Sequence, residues 1–273
     1  MRREAAVRTP PPVRSKGAPG GVRQASPRTL GVAALVVVLV AVAATLAVVL
    51  TSHNGSKTTD VSKLPAVGSA TWKGALPGST YVRRMFNGIP QQGLVLGSAT
   101  APAQLTTFID LQCPICQEFE TQMMPTLIQK YVRTGKLSIK IQPWNILDRT
   151  PAEHDSARGQ AATIAATLQN KGFQFAEMLY LNQGTEGTGW LTDNMVGTAA
   201  SSVDGMDPRR VLTDAGSSGV KSLVHEVDSR ASAAGFNSTP TLLLSSHGGT
   251  PKEIANSLPN LSTLESQIQA AAS

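Results

Sequence analysis

Apolar residues recur at helical spacing through Ile115, Phe119, Met123, Leu127 and Tyr131. They follow "AQLTTFIDL" (Ala103 to Leu111), a run enriched in β-branched and aromatic residues. The periodic stretch predicts a helix that opens at Pro114, where a missing N–H costs nothing, and closes at Gly135. The apolar run before it predicts a buried strand. Pro125 lies inside the helical pattern and predicts a kink. In "KLSIKIQPW" (Lys136 to Trp144), Leu137, Ile139 and Ile141 alternate with polar positions, which predicts a second strand. Strand, helix and strand in close order make a βαβ unit with a right-handed crossover. Ahead of it, Gly93 to Leu96 predicts a short leading strand, followed by a turn over residues 97–102.

From about residue 151 to 235 the sequence is Ala-rich and helical in character, in blocks such as "AEHDSARGQAATIAATLQ" and "GVKSLVHEVDSRASAAG" separated by Gly-rich turns. A strand "PTLLLS" (Pro240 to Ser245), a turn "SHGGT" and an amphipathic helix from Leu261 to Ala271 complete the pattern, and no internal repeat is visible. The expected domain therefore covers residues 81–273 and is α/β, with a helical insertion at about 151–235 between the βαβ unit and the last strand.

The segment before the domain reads differently. Leu30 to Leu50 carries no charge, and at 1.5 Å per residue it spans roughly 30 Å, the thickness of a bilayer core. It is longer than the apolar region of a cleavable signal peptide and ends without a good cleavage site, so a retained transmembrane helix is expected at 30–50. The preceding residues, 1–29, hold seven basic side chains against Glu4 alone, which accounts for the whole net charge of +6. The high pI is thus a property of this tail and gives no sign of a nucleic-acid-binding domain. Rich in Pro, Gly, Ser and Arg, the tail is expected to be disordered and cytoplasmic by the positive-inside rule, with everything after residue 50 exported. Residues 51–80 are polar, punctuated by Gly and Pro, and read as a linker.

Both cysteines, Cys113 and Cys116, lie at the junction of predicted strand and helix in "TTFIDLQCPICQEFETQMMP". A zinc site needs four ligands, and the chain offers this one pair and four scattered histidines, His53, His154, His225 and His247. A structural disulfide across two residues would close too short a loop to restrict the unfolded chain much. A reactive dithiol has a mechanism behind it. A cysteine just before a helix faces unpaired backbone N–H groups and the positive end of the helix dipole, which favour thiolate. Cys113 is then the exposed nucleophile and Cys116, one turn inside, the shielded resolving thiol. The exported side is where disulfide chemistry belongs.

The stretch "GLVLGSATAPAQLTTFIDLQCPICQEFE" resembles the DsbA-like branch of the thioredoxin-fold superfamily, in which a lead-in of this type precedes a strand, an Asp and CPxC. "GFNSTPTLLL" resembles that branch's second signature. The resemblance covers roughly residues 81–272 and implies thiol-disulfide oxidoreductase activity at Cys113 and Cys116, supported by Pro114 and Ile115. It implies a cis Thr239–Pro240 bond beside the CPIC helix, whose backbone pairs with a substrate strand, and it accounts for the helical insertion. Asp110 matches the family's Asp and is expected to shape the turn or simply cap the strand. The implied substrates are exported proteins with cysteine thiols. With no third cysteine and no recognisable quinone or flavin site, no cofactor is expected, and reoxidation would fall to a membrane partner of the DsbB or vitamin K epoxide reductase type.

In one respect the sequence departs from the pattern. Many relatives carry a carboxylate six residues before the first cysteine, a buried base for the resolving thiol, and this chain has Thr107 there. Fast reductase chemistry is therefore not expected, although a reductase or isomerase stays open as an alternative, as does a binding protein that uses the Thr239–Pro240 groove. Glu118 and Glu120, in the helix's first turns, read as solvated face. Trp72, Trp144 and Trp190 read as core or tether anchors.

Overall fold

The computed structural model describes residues 75–150 and 153–273. The basic tail, the Leu30–Leu50 run and most of the linker, Trp72 included, lie outside the described residues. Among the described residues no helix is long and apolar enough to cross a membrane.

The chain enters through α1 (Ser79–Phe86) and a minimal hairpin, β1 (Gln91–Gln92) and β2 (Val95–Leu96), before β3 (Ala103–Ile109). The helix after β3 is segmented into α2 (Pro114–Glu118), a π-helical turn (Phe119–Met123), α3 (Met124–Leu127) and a second π-helical turn (Ile128–Val132), and β4 (Leu137–Pro143) follows. The helical block is α4 (Asp155–Thr167), α5 (Gly172–Leu181), α6 (Asp193–Ser201), α7 (Pro208–Ala215) and α8 (Ser218–Ala233). Then come β5 (Thr241–Ser246), β6 (Lys252–Ala255) and α9 (Leu261–Ala271). The strands form one sheet in the order β1-β2-β4-β3-β5-β6, with β3 parallel to β4 and antiparallel to β5.

β3 has neighbours on both sides and helices over both faces, so its apolar run is nearly continuous. On one face, Leu105, Ile109, Ile139, Ile141 and Leu242 pack in a core with Phe119, Met124, Leu127 and Ile128 of the segmented helix and with Leu264 and Ile268 of α9. Each such side chain contributes roughly 1.5–3 kcal/mol when fully buried. On the other, Phe108 and Trp144 meet edge to face at 6.3 Å beneath Val227 and Ala231 of α8. The break expected at Pro125 takes the form of the π-helical turn just before it, where Met124 N–H reaches Phe119 O, five residues back. Proline has no N–H to continue the regular ladder, and a one-residue widening absorbs the misfit.

The helices of the insertion begin where the sequence supplies caps. Thr192 and Ser217 accept from backbone N–H groups at the starts of α6 and α8, and Asp207, followed by Pro208, does so for α7. In α4, Gly159 permits a close approach: a Cβ there would stand 2.6 Å from Leu111 Cβ. This brings the insertion directly against the turn that carries the cysteines.

Three details differ from the sequence reading. Residues ahead of Tyr81 already join the fold, since α1 starts at Ser79 and Leu76 N–H donates to Ser202 Oγ at 2.9 Å. The leading strand is one arm of the β1–β2 hairpin. The stretch after "SHGGT" forms β6, which pairs with β5; it is too short and too exposed for its alternation to stand out.

Candidate active site

Cys113 is the N-cap of α2, in extended backbone, with Pro114 at the first helical position. Its N–H donates to Asp110 O at 3.1 Å and its carbonyl accepts from Gln117 N–H at 3.0 Å, so the turn and the helix start are both closed around it. Cys113 is 6% exposed and Cys116 0%, and both are free thiols. The sequence reading of Cys113 as an exposed nucleophile is thereby corrected: it is nearly buried, at the floor of the turn, and only in comparison with Cys116 is it accessible. The surface beside it is apolar, because Pro114 is exposed and Ile115 keeps 40% exposure.

The second half of the site comes from the start of β5. Thr239–Pro240 is a cis peptide bond, Pro240 is buried, and the Cys113 thiol donates to the Thr239 carbonyl oxygen at 3.5 Å. A Cys113 thiolate is stabilised first by a hydrogen bond from Cys116, then by the Thr239 side chain and by the backbone N–H groups of Cys116 and Ile115. Together these overcome burial and bring Cys113 from 9.0 down to about 6. Cys116 moves the opposite way, well above its ordinary value, through burial first and then through its hydrogen bond to Cys113 and the Cys113 charge. One thiol is thus held as the nucleophile and its neighbour as the proton-bearing partner.

Asp110 does more than cap a strand. It is fully buried, and its Oδ1 accepts from Gln112 N–H at 3.0 Å and Ser156 Oγ at 2.8 Å. Its Oδ2 accepts from Ile146 N–H at 3.0 Å and Leu147 N–H at 3.1 Å. Burial raises its pKa, while the bonds from Ser156, Gln112, Ile146 and Leu147 oppose that rise. The residue ties the CPIC turn to the loop after β4 and to α4. Asp110→Ala leaves four donors without an acceptor, two of them buried and two half-buried, and is expected to cost about 3 kcal/mol. That corresponds to a melting temperature roughly 6–12 °C lower in a domain of this size; a shift under about 2 °C in thermal melts would remove Asp110 from this role.

The insertion holds the turn through residues that local sequence does not mark. Tyr180 Oη donates to Asp110 O at 3.0 Å. Gln117 Nε2 donates to Tyr180 O at 2.7 Å. Gln183 Nε2 donates to Leu111 O at 2.9 Å and Cys113 O at 3.3 Å. Gln112 Nε2 donates to Asp148 Oδ1 and Ser156 Oγ, and its Oε1 accepts from Gly187 N–H at 2.9 Å.

Thr107, in place of the family's carboxylate, is fully buried and its Oγ1 has no hydrogen-bond partner. Glu118 is half-buried. Glu120, read from sequence as solvated, is 5% exposed; α5 lies across this side of the helix and covers it. Trp144 is core, and Trp190 is half-buried. Among the described residues, no group of three or more His, Cys, Asp and Glu side chains is placed to hold a metal ion.

A sheet with a CxxC pair opening the βαβ helix, one acidic and one alkaline thiol, and a cis-proline loop against the reactive sulfur define a thiol-disulfide oxidoreductase of thioredoxin fold. A family model described as Thioredoxin matches residues 90–257, and the chain belongs to that family. Among its relatives, the probable disulfide bond formation protein D of Bacillus cereus is 24% identical over 170 residues, which span 61% of this chain and 76% of the relative. In overall fold the chain is similar to the oxidised form of BdbD from Bacillus subtilis, with TM-score 0.57, 18% identity and coverage of 67% of this chain and 97% of that one. It is also similar to DsbA of Chlamydia trachomatis, with TM-score 0.52, 18% identity and coverage of 65% and 90%.

Proposed function

We propose that this protein is a membrane-anchored, extracytoplasmic donor of disulfides to exported proteins. The observation that carries the direction is the stabilised Cys113 thiolate. Whatever stabilises the dithiol form relative to the disulfide makes the disulfide the stronger oxidant. A substrate thiolate attacks Cys113 Sγ of the Cys113–Cys116 disulfide, the S–S bond breaks, and the electron pair leaves on Cys116. A second substrate thiolate then displaces Cys113 from the mixed disulfide, which leaves the substrate oxidised and the enzyme a dithiol. The name of the Bacillus cereus relative, a disulfide bond formation protein, agrees with this direction.

The anchor rests on the charge-free run at Leu30–Leu50 and the basic tail before it. Exposed Pro114 and Ile115 offer the apolar surface an unfolded exported chain would meet. With two cysteines in the whole chain, reoxidation requires an external acceptor, and we assign it to a membrane partner of the DsbB or vitamin K epoxide reductase type.

Equilibration of the full chain in detergent with glutathione buffers tests the direction. A reduction potential of about −120 to −180 mV, the range of DsbA and protein disulfide isomerase, is expected. A value near about −270 mV, that of thioredoxin, would make the protein a reductase instead.

A further inference from the structure

The thiol chemistry leaves a proton unaccounted for. When the disulfide opens, Cys116 departs as a thiolate inside the protein, where its charge is strongly disfavoured, and Thr107 supplies no acid to neutralise it. Two buried carboxyls lie on the same segmented helix and on the helix packed against it. Glu120 is four residues after Cys116, the spacing that places side chains over one another on a helix. Glu177, on α5, is 2% exposed, and α5 packs against the π-helical turn that holds Glu120. Glu120 Oε1 and both carboxyl oxygens of Glu177 are buried without a hydrogen-bond partner.

Two ionised carboxylates do not persist in such a place; they hold protons instead. Burial raises Glu177 to about 8, and burial together with the Glu177 charge raises Glu120 well above the ordinary carboxyl range. Tyr180, three residues after Glu177 on α5, reaches the CPIC turn, its Oη donating to Asp110 O at 3.0 Å. Its phenol is raised by burial and then by the charges of Cys116, Glu120, Asp110 and Cys113, so it lies within electrostatic reach of both ends. The phenol of Tyr81, on α1, is raised by burial and then by the Glu177 charge.

We infer that Glu120 and Glu177 form a proton store for Cys116, in the role that the absent carboxylate at position 107 would otherwise have. This inference rests on the dithiol reading of Cys113 and Cys116. In the oxidised protein both carboxyls are protonated. As the S–S bond breaks and the electron pair moves onto Cys116, one carboxyl gives up its proton to the sulfur. A thiol and a carboxylate remain, the latter sharing the second proton with its partner, and one proton later returns from solvent. Reoxidation runs the transfer backwards: the carboxylate takes the Cys116 proton as that sulfur attacks. The two residues act through a proton and touch no substrate, and the π-helical turn is the local irregularity that brings Glu120 beneath α5.

The test follows opening of the disulfide in the full chain in detergent by dithiothreitol between about pH 6 and 10, at constant dithiothreitol thiolate, with acid quenching and counting of protein thiols. In the native chain the rate is expected to fall at least about tenfold as pH rises through about 8, as loss of a general acid requires. In E120Q/E177Q it should lie at the lower level throughout. A variant that forms its disulfide yet keeps the native pH profile overturns the store, even if its melting temperature changes. A native chain that forms no Cys113–Cys116 disulfide overturns the dithiol reading itself. A second outcome needs no variant: a native rate of disulfide opening that stays flat through about pH 8 at constant dithiothreitol thiolate also overturns the inference.

Discussion

Cys116→Ser is expected to stall the protein as a covalent adduct. Incubated with glutathione disulfide or an oxidised protein, the variant attacks through Cys113, forms a mixed disulfide and goes no further, because no second sulfur is present to displace the partner. Intact mass under non-reducing conditions should approach one adduct per chain, and peptide mapping should place it on Cys113. Cys113→Ser should form essentially none, since Cys116 is fully buried and its thiol is held protonated. Two-electron exchange should vanish in both variants. Turnover that survives Cys113→Ser, or adducts distributed over both sulfurs, would contradict the division of labour between acidic and alkaline thiol.

The second large effect is in the pH response of the reduced protein. Alkylation of Cys113 by iodoacetamide should titrate with a midpoint of about 6 in place of the ordinary 9.0, so the reaction at pH 7 is already close to its plateau. A midpoint above about 8 would show that the contacts from Cys116 and Thr239 do not stabilise the thiolate. The same titration bears on stability. Between about 6 and 9 the unfolded chain binds a proton at Cys113 that the folded chain has lost, so reduced protein gains stability as pH rises across that window. The raised pKa of Cys116 contributes below 9 and is lost only above it. The disulfide form has no thiol to titrate, so the difference in melting temperature between the two forms reports the cysteines; below 9, where Cys116 stays protonated in folded and unfolded chains alike, it should move in favour of the reduced form as pH rises from 6. A difference independent of pH would be inconsistent with a thiolate at neutral pH.

Much of this could be read from the sequence, and the boundary follows the range of the interactions. β3, the helix from Pro114 and β4 carry their own periodicity within some forty residues, and the closing helix at Leu261–Ala271 has both its apolar spacing and an Asn260 cap. The Thr239–Pro240 bond was legible only through resemblance, because proline at a strand's start is ordinary without it. What the sequence hid depends on distant partners. Three of the four hydrogen bonds to the Asp110 carboxylate come from residues 36, 37 and 46 positions further on, and nothing near it announces them. Tyr180 and Gln183 look like any residues at a helix end until α5 is placed beside the CPIC turn. Glu120 misled for the same reason. An acidic residue early in a helix reads as solvated, and only the insertion, folded back across that surface, encloses it.

The Thr239 carbonyl that meets the Cys113 sulfur arrives 126 residues later in the chain. At synthesis rates of about 5–20 residues per second, the CPIC turn exists for roughly 6–25 s before that segment has even been made. Throughout this interval Cys113 lacks the share of its acidity that the Thr239 side chain supplies and the β5 strand that completes its surroundings. A nascent chain therefore carries a comparatively sluggish thiol until that segment has been made and has folded. The enzyme is armed late, by the arrival of β5 and the loop that leads into it.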